Sequence, residues 1–306
     1  MAWFDRSGKF LEAVGEPGRV LWPAISPDEK SVIFVRNVGL LPLRSDLWLR
    51  DLARGTEQRF TTDPSFNRAP FWSPKGDRIL FTSSRGTSLG DLYQKPINGS
   101  GQEELLFGSA LNKVPNQWSR DGRFIVYMSE FDPKTKRDIW MLPMDRGAER
   151  KPIPFLHSEF NELFGQLSPD SQWMAYTSDK TGQEEVYVTQ FPTGEGEKTI
   201  SIKGGDQPRW RGHGKELFFV AADGKMMAVA VKAEVPSRLG AKPSFEPGAP
   251  QPLFNTHLSR GGGAPLFQYD VTSDGKRFLL DTIAGGGSAP PSALTVEVNW
   301  DRGSKK

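Results

Sequence analysis

Ser73-Pro-Lys-Gly-Asp77 leads almost directly into the apolar stretch Ile79-Leu-Phe-Thr82, and this pairing of a polar turn with a short hydrophobic strand decides the fold because it recurs. Ser26-Pro-Asp-Glu-Lys30 precedes Val32-Ile-Phe-Val35, Ser119-Arg-Asp-Gly-Arg123 precedes Phe124-Ile-Val-Tyr127, and Ser168-Pro-Asp-Ser-Gln172 precedes Trp173-Met-Ala-Tyr176. Two degenerate copies follow: Arg211-Gly-His-Gly-Lys215 before Leu217-Phe-Phe-Val220, and Thr272-Ser-Asp-Gly-Lys276 before Phe278-Leu-Leu280. First positions fall at 26, 73, 119, 168, 211 and 272, so four of the five steps are 43 to 49 residues and the last is 61. The Pro/Gly-rich stretch from Pro236 to Pro252 supplies the excess.

Each unit continues alike. After the second strand comes an acidic residue opening a third, in Asp46-Leu-Trp48, Asp91-Leu-Tyr93, Asp138-Ile-Trp140 and Glu185-Val-Tyr187, then a Gly-containing turn and a short fourth segment. The segments are short, rich in β-branched and aromatic residues and separated by turn chemistry, and none sustains a helical period. In the turn itself, Pro presets φ at the second position, and Asp or Gly suits the positions that follow. The acidic residue is expected to cap turn backbone and its aromatic neighbour to face the next blade, both structural roles. Six units of about 45 residues with four antiparallel strands each predict an all-β, six-bladed β-propeller. Its blades would lie at approximately 17–63, 64–109, 110–157, 158–202, 203–256 and 263–300, the last completed by residues 10–14.

Closure follows from an edge argument, because an open ring would leave unpaired strand edges at its seam. The sixth unit offers strands near Phe267–Val271, Arg277–Asp281 and Leu294–Trp300, and Phe10–Val14 is expected to add the fourth as an N-terminal closing strand. Trp3–Arg6 is then one strand too many: either it lies outside the ring as an extra edge or the chain was cut from a longer protein, and the second is the preferred expectation.

These residues resemble the TolB-like six-bladed propellers, whose WD40-like repeat reads roughly Ser-Pro-Asp-Gly-Lys, an apolar strand, then Asp-Ile-Tyr. Four stretches are similar to the propellers that lie C-terminal to bacterial, particularly acidobacterial, receptor serine/threonine kinases: Trp3-Phe-Asp-Arg-Ser-Gly8, Asp91-Leu-Tyr-Gln-Lys-Pro96, Pro208-Arg-Trp-Arg211 and Leu294-Thr-Val-Glu-Val-Asn-Trp300. The resemblance implies a non-enzymatic ligand- or protein-binding module, the sensor or interaction part of a larger bacterial protein.

Charge and motif chemistry narrow the function classes. Lys and Arg number 39 against 37 Asp and Glu, with the signs interleaved, so no basic stripe is present to neutralise a run of phosphates, and nucleic acid is not an expected partner. No run of 18 apolar residues exists, which excludes a spanning helix, and the absence of cysteine excludes disulfides and thiolate metal sites. Met1-Ala-Trp-Phe-Asp5 is not a signal peptide, so the chain as it stands would remain in the cytoplasm, whereas a longer parent could carry it outside. Gly86-Thr-Ser-Leu-Gly90 has the spacing of a nucleophile elbow but sits between two strands with no helix to follow. The three histidines, His157, His213 and His257, lack metal-ligand spacing, and His213 occupies the Asp slot of its turn.

The candidate site is a second repeat upstream of the turns: Asn67-Arg68, Asn112-Lys113, Asn161-Glu162 and Gly205-Asp206. Aligned this way, Arg68, Lys113, Glu162 and Asp206 would surround one channel mouth, flanked by Asn67, Asn112 and Asn161, and would hold a protein or peptide end or a small ligand. The bland alternative is an internally paired ring. No cofactor motif is present; a rival reading, a hydrolase of lactones, esters or phosphotriesters, would hold Ca²⁺ on Glu162 and Asp206 in the central channel. A third reading is an accessory propeller that gates a peptidase.

Overall fold

The computed structural model describes residues 1–16, 20–40, 43–86, 89–98, 101–145, 150–234, 243–258 and 267–282. Among them no helix occurs. An N-terminal hairpin, β1 (Ala2–Asp5) and β2 (Phe10–Ala13), comes first. Blade one is β3 (Val20–Ile25), β4 (Ser31–Leu40), β5 (Leu43–Asp51) and β6 (Glu57–Arg59). Blade two is β7 (Asn67–Trp72), β8 (Arg78–Ser83), β9 (Asp91–Pro96) and β10 (Glu104–Phe107). β11 (Asn112–Trp118), β12 (Phe124–Asp132), β13 (Lys136–Pro143) and β14 (Ile153–Leu156) make blade three. Blade four comprises β15 (Glu162–Leu167), β16 (Trp173–Ser178), β17 (Glu185–Gln190) and β18 (Lys198–Thr199).

Blade five has β19 (Gly205–Trp210), β20 (Glu216–Ala221) and β21 (Lys225–Glu234), with its outer strand in two pieces, β22 (Ser244–Pro247) and β23 (Gln251–Asn255). β23 pairs with the first half of β21 and β22 with its second half, which accounts for part of the long last step of the repeat. Blade six joins β24 (Tyr269–Val271) and β25 (Arg277–Leu280) to the N-terminal hairpin in the order β24-β25-β1-β2. The result is six antiparallel blades in a ring, as the repeat predicts.

The ring closes differently from the sequence expectation. Phe10–Ala13 is indeed the outer strand of blade six, but Trp3 lies inside β1, which is the third strand of that blade and pairs with β25 from Ala2↔Leu280 to Asp5↔Arg277. Closure therefore uses an N-terminal hairpin rather than one strand, and Trp3–Arg6 is not surplus. Leu294–Trp300, to which the sequence reading gave that third position, lies outside the described residues. Packing explains the choice: Trp3 is 2% exposed, wedged with Val20, Val32, Phe34 and Leu279 between blades six and one, with the Arg277 guanidinium 4.8 Å over its ring. Burying an aromatic of this size contributes about 2–3 kcal/mol.

The turn motif is built as its residues suggest. At all six turns the first carbonyl accepts the N–H three residues on, at 2.8–2.9 Å. The hydroxyls of Ser26, Ser119, Ser168 and Thr272 donate to the Asp two positions later at 2.5–2.7 Å, and that Asp accepts a backbone N–H in turn. In the degenerate fifth copy, His213 Nδ1 accepts the Lys215 N–H at 3.2 Å, standing in for the carboxylate. The fourth turn position is left-handed, which glycine supplies without strain at Gly76 and Gly122.

Blades bond to one another through side chains. Trp72 Nε1 donates to the Ala24 carbonyl at 2.9 Å and Trp210 Nε1 to that of Gln166 at 3.0 Å, joining blades two to one and five to four. Tyr269 Oη donates to the Gln207 carbonyl at 2.8 Å, and the Ile25 N–H donates to Asp270 Oδ2 at 2.8 Å, fixing blade six to both of its neighbours.

Candidate functional site

Two residues before the first turn position, each inner strand presents one side chain: Ala24, Phe71, Gln117, Gln166, Arg209 and Asp270. All six line a single cavity of about 560 Å³, together with turn residues such as Ser26, Glu29, Pro74, Arg120, Gly212 and Ser273. This bowl is the turn-side mouth of the central channel. The elbow-like Thr87 and Ser88 lie outside the described residues.

Local backbone geometry aims these side chains. In β3, β7, β11, β15 and β19 one extra residue interrupts the register just ahead of the lining position, for example between Arg68↔Thr82 and Phe71↔Leu80. Such a bulge bends the strand and shifts which face the following side chains occupy. In four of these strands the bulge holds a non-glycine residue in the left-handed region: Trp22, Ala69, Phe164 and Gln207, with φ of 51–58°. That conformation costs of order 1–3 kcal/mol each and persists because the surrounding packing fixes it.

The lining is chemically uneven. Blades one and two contribute Ala24 and Phe71, an apolar wall. Blades three and four contribute two amides engaged in holding the ring together: Gln117 Nε2 donates to the Leu167 carbonyl at 3.2 Å while its oxygen accepts the Leu167 N–H, and Gln166 Nε2 donates to the carbonyls of Asn116 and Gly165. Blades five and six contribute an ion pair, with Arg209 Nε 3.7 Å from Asp270 Oδ1. The Arg209 guanidinium sits 3.7 Å over the Phe267 ring, and Phe267 packs against Phe164 and Phe71 at 4.8 and 5.8 Å between centroids, so an aromatic core stands behind the charged wall. Burial lowers the Arg209 pKa and raises that of Asp270, the neighbouring opposite charge opposing both shifts.

The charged repeat named from the sequence lies at the other ends of the inner strands, and the structure distributes it among separate contacts. Arg68 donates to Glu130 Oε2 at 3.0 Å; Glu130 also takes the Asn112 amide and Arg137. Lys113 is fully buried, its ammonium held by Asp91 Oδ1 at 2.7 Å and by the carbonyls of Ser109 and Leu111. Asn67 donates to the carbonyls of Ser45, Asp63 and Ser65, and Asn161 to Asp179. Asp206 is half-buried beside the Gln207 amide. Register shows that the alignment slips by one: Lys113 and Glu162 stand six residues before their turns, opposite Ser129 and Ser178, whereas Arg68 and Asp206 stand five before theirs. A one-residue offset along a strand points the side chain to the opposite face.

Glu162 is different from its neighbours. Its Oε1 accepts the Ser158 hydroxyl, but its Oε2 is buried without a hydrogen-bond partner, as is Oδ1 of the fully buried Asp138 nearby. Desolvation, with Asp138 and Asp179 adding repulsion, pushes Glu162 up to about 7. Among the described residues no group of three or more His, Asp or Glu side chains is placed to hold a metal ion.

Residues 7–151, a little under half of the chain and running from the N-terminal hairpin into the third unit, match the family model of the TolB beta propeller domain. An uncharacterized protein of Agrobacterium fabrum is 26% identical over 171 residues, 56% of this chain, and the match spans 55% of that relative's length. Among solved structures, a TolB-assigned protein of Agrobacterium tumefaciens superposes with a TM-score of 0.62 at 19% identity, over 82% of this chain and 87% of that one. TolB from Acinetobacter baumannii gives 0.58 at 21%, over 69% and 51%. At these identities the likeness is one of fold.

Proposed function

We propose that this chain is a non-enzymatic binding propeller, the sensor or interaction part of a larger bacterial protein, and that its ligand enters the turn-side bowl. The observation that carries this reading is the contrast between repeat and lining. Turn residues are close to sixfold in chemistry, as a ring of like blades requires. The six lining positions diverge around the same ring, into an apolar arc, an amide arc and a charged arc. Bonds between blades engage the two amides and Asp270, but they do not call for an apolar wall and a buried guanidinium in the same bowl, whereas an asymmetric ligand does. The likeness to TolB propellers supports the fold-level part of the reading, and function is argued from the site itself.

The test is a thermal-shift screen of short peptides and small metabolite-like ligands, with binders mapped by hydrogen–deuterium exchange. Protection concentrated in 24–29, 71–74, 117–120, 166, 209–212 and 270–273 is the expected result. Protection confined to the outer blade faces would reject the bowl. Turnover of aryl esters or lactones by the purified chain would reject the non-enzymatic assignment.

A further inference from the structure

We propose that the bowl is built to take a carboxylate group of its ligand, with Arg209 as the receiving residue; this rests on the bowl being the binding site. Arg209 is 6% exposed, yet among the described residues its guanidinium donates one hydrogen bond, to Gln166 Oε1 at 3.1 Å. A guanidinium carries five N–H donors in a fixed fork. Its Nε is buried without a partner, and the 3.7 Å separation from Asp270 Oδ1 is an ion-pair contact, too long for a hydrogen bond. A buried donor left unsatisfied costs about 1–3 kcal/mol, so an incoming acceptor relieves an existing penalty.

The polar groups on the wall around Arg209 are already engaged. Asp270 accepts the Ile25 N–H through Oδ2 at 2.8 Å and the Val271 N–H through Oδ1 at 3.0 Å. Glu29 Oε1 holds both the backbone and the hydroxyl of Ser273 at 2.7 Å. Gln117 and Gln166 clamp blades three and four. What remains open is donor capacity: Arg209 on the wall, and at the rim the exposed Arg120, which has no hydrogen bond or ion pair among the described residues. A cation would find Glu29 Oε2 at the rim, but on the wall only Asp270, whose two oxygens already accept backbone N–H groups. A planar carboxylate matches the guanidinium fork, and charge-assisted bonds of this type are about twice as strong as neutral ones. The cavity of about 560 Å³ is far larger than a carboxylate, and Phe71 provides an apolar surface for the body that carries it. The carboxylate is therefore the end group or side chain of a larger, partly apolar ligand.

The experiment uses three fluorescently labelled pentapeptide pools: free C-terminal acid without Asp or Glu, the same pool amidated, and the amidated pool with one Glu. Binding is read by anisotropy against the full chain at low and moderate salt. The free-acid pool, the Glu pool or both should bind at least ten-fold more tightly than the amidated acid-free pool, and which of them does identifies a chain end or an acidic side chain as the source. Arg209→Gln should abolish the difference and Arg209→Lys restore part of it. Should Arg209→Gln fail to fold, the exposed Arg120→Gln should still weaken carboxylate binding several-fold and flatten its salt dependence. If the amidated acid-free pool binds within two-fold of the others at the bowl, the carboxylate inference falls while the binding reading stands. If no pool binds although other ligands protect the bowl from exchange, the inference falls alone. If nothing protects the bowl, both fall.

Discussion

Replacing Glu162 by Gln should stabilise the protein at pH 8 and leave it unchanged near pH 4.5. The carboxyl is buried with one oxygen unpartnered, faces the field of Asp138 and Asp179, and is pushed from 4.5 up to about 7. A group whose folded pKa is raised binds its proton more tightly in the folded state. Its contribution is fully present below about 4.5 and is lost as pH rises through about 7, so stability falls across that window. A shift from 4.5 to about 7 is about 3 kcal/mol at full strength. Ser158 and the loop around it border solvent, and screening there reduces the figure to on the order of 1–2 kcal/mol. Gln cannot ionise, keeps the shape, and brings an amide donor to the neighbourhood of the unpartnered Asp138 oxygen. The native chain should lose stability between pH 5 and pH 8, and E162Q should lose less, ending roughly 2–4 °C higher in Tm at pH 8. Thermal melting followed by circular dichroism at half-unit pH steps measures this. Identical slopes for the two proteins, or a less stable variant at pH 8, would refute the assignment of a protonated, penalised Glu162.

Three other outcomes are expected. Lys113→Met should cost about 3–5 kcal/mol in urea unfolding, because it leaves the Asp91 carboxylate buried without its ammonium, and adding Asp91→Asn should recover much of the loss. Gly212→Ala should cost about 1–3 kcal/mol, since its Cβ would stand 2.6 Å from the Ser273 carbonyl oxygen at the junction of blades five and six. Deleting residues 1–6 should be about as damaging as deleting 1–16, with lower Tm and oligomers on size exclusion, because β1 covers the edge of β25; a tolerated 1–6 deletion would contradict the observed closure.

The architecture was legible because the turn chemistry repeats at fixed intervals, and the hydrogen bonds show why those residue types recur. Ser, Asp and Gly each satisfy one requirement of the same turn, and even His213 reads correctly once the Asp slot is understood as an acceptor of a backbone N–H. Closure was less legible. A run such as Leu294-Thr-Val-Glu-Val-Asn-Trp300 carries strong strand propensity, but propensity does not say which segment takes the third position of a blade. The burial of Trp3 against Val32, Phe34 and Leu279 decides that position in favour of β1, and such long-range packing leaves no trace in the order of residues.

The site was obscured by the same feature that builds it. Period-two alternation carried along an inner strand from Arg68 or Lys113 to the turn predicts which side chains share a face, and one extra residue in the strand breaks that count. The bulges at Trp22, Ala69, Phe164 and Gln207 lie in the middle of the inner strands, so the two halves of each strand follow different phases. Reading the charged positions upstream of the bulge therefore finds contacts between blades, such as Lys113 with Asp91 and Arg68 with Glu130. Counting from the turn instead stays within one phase, and two residues back it returns Ala24, Phe71, Gln117, Gln166, Arg209 and Asp270, the lining of the bowl. The signal was present in the sequence as the position where a six-fold repeat stops repeating. In a ring whose packing positions must be alike, the places freest to differ are those at the channel, even though Gln117, Gln166, Arg209 and Asp270 also reach across to an adjoining blade.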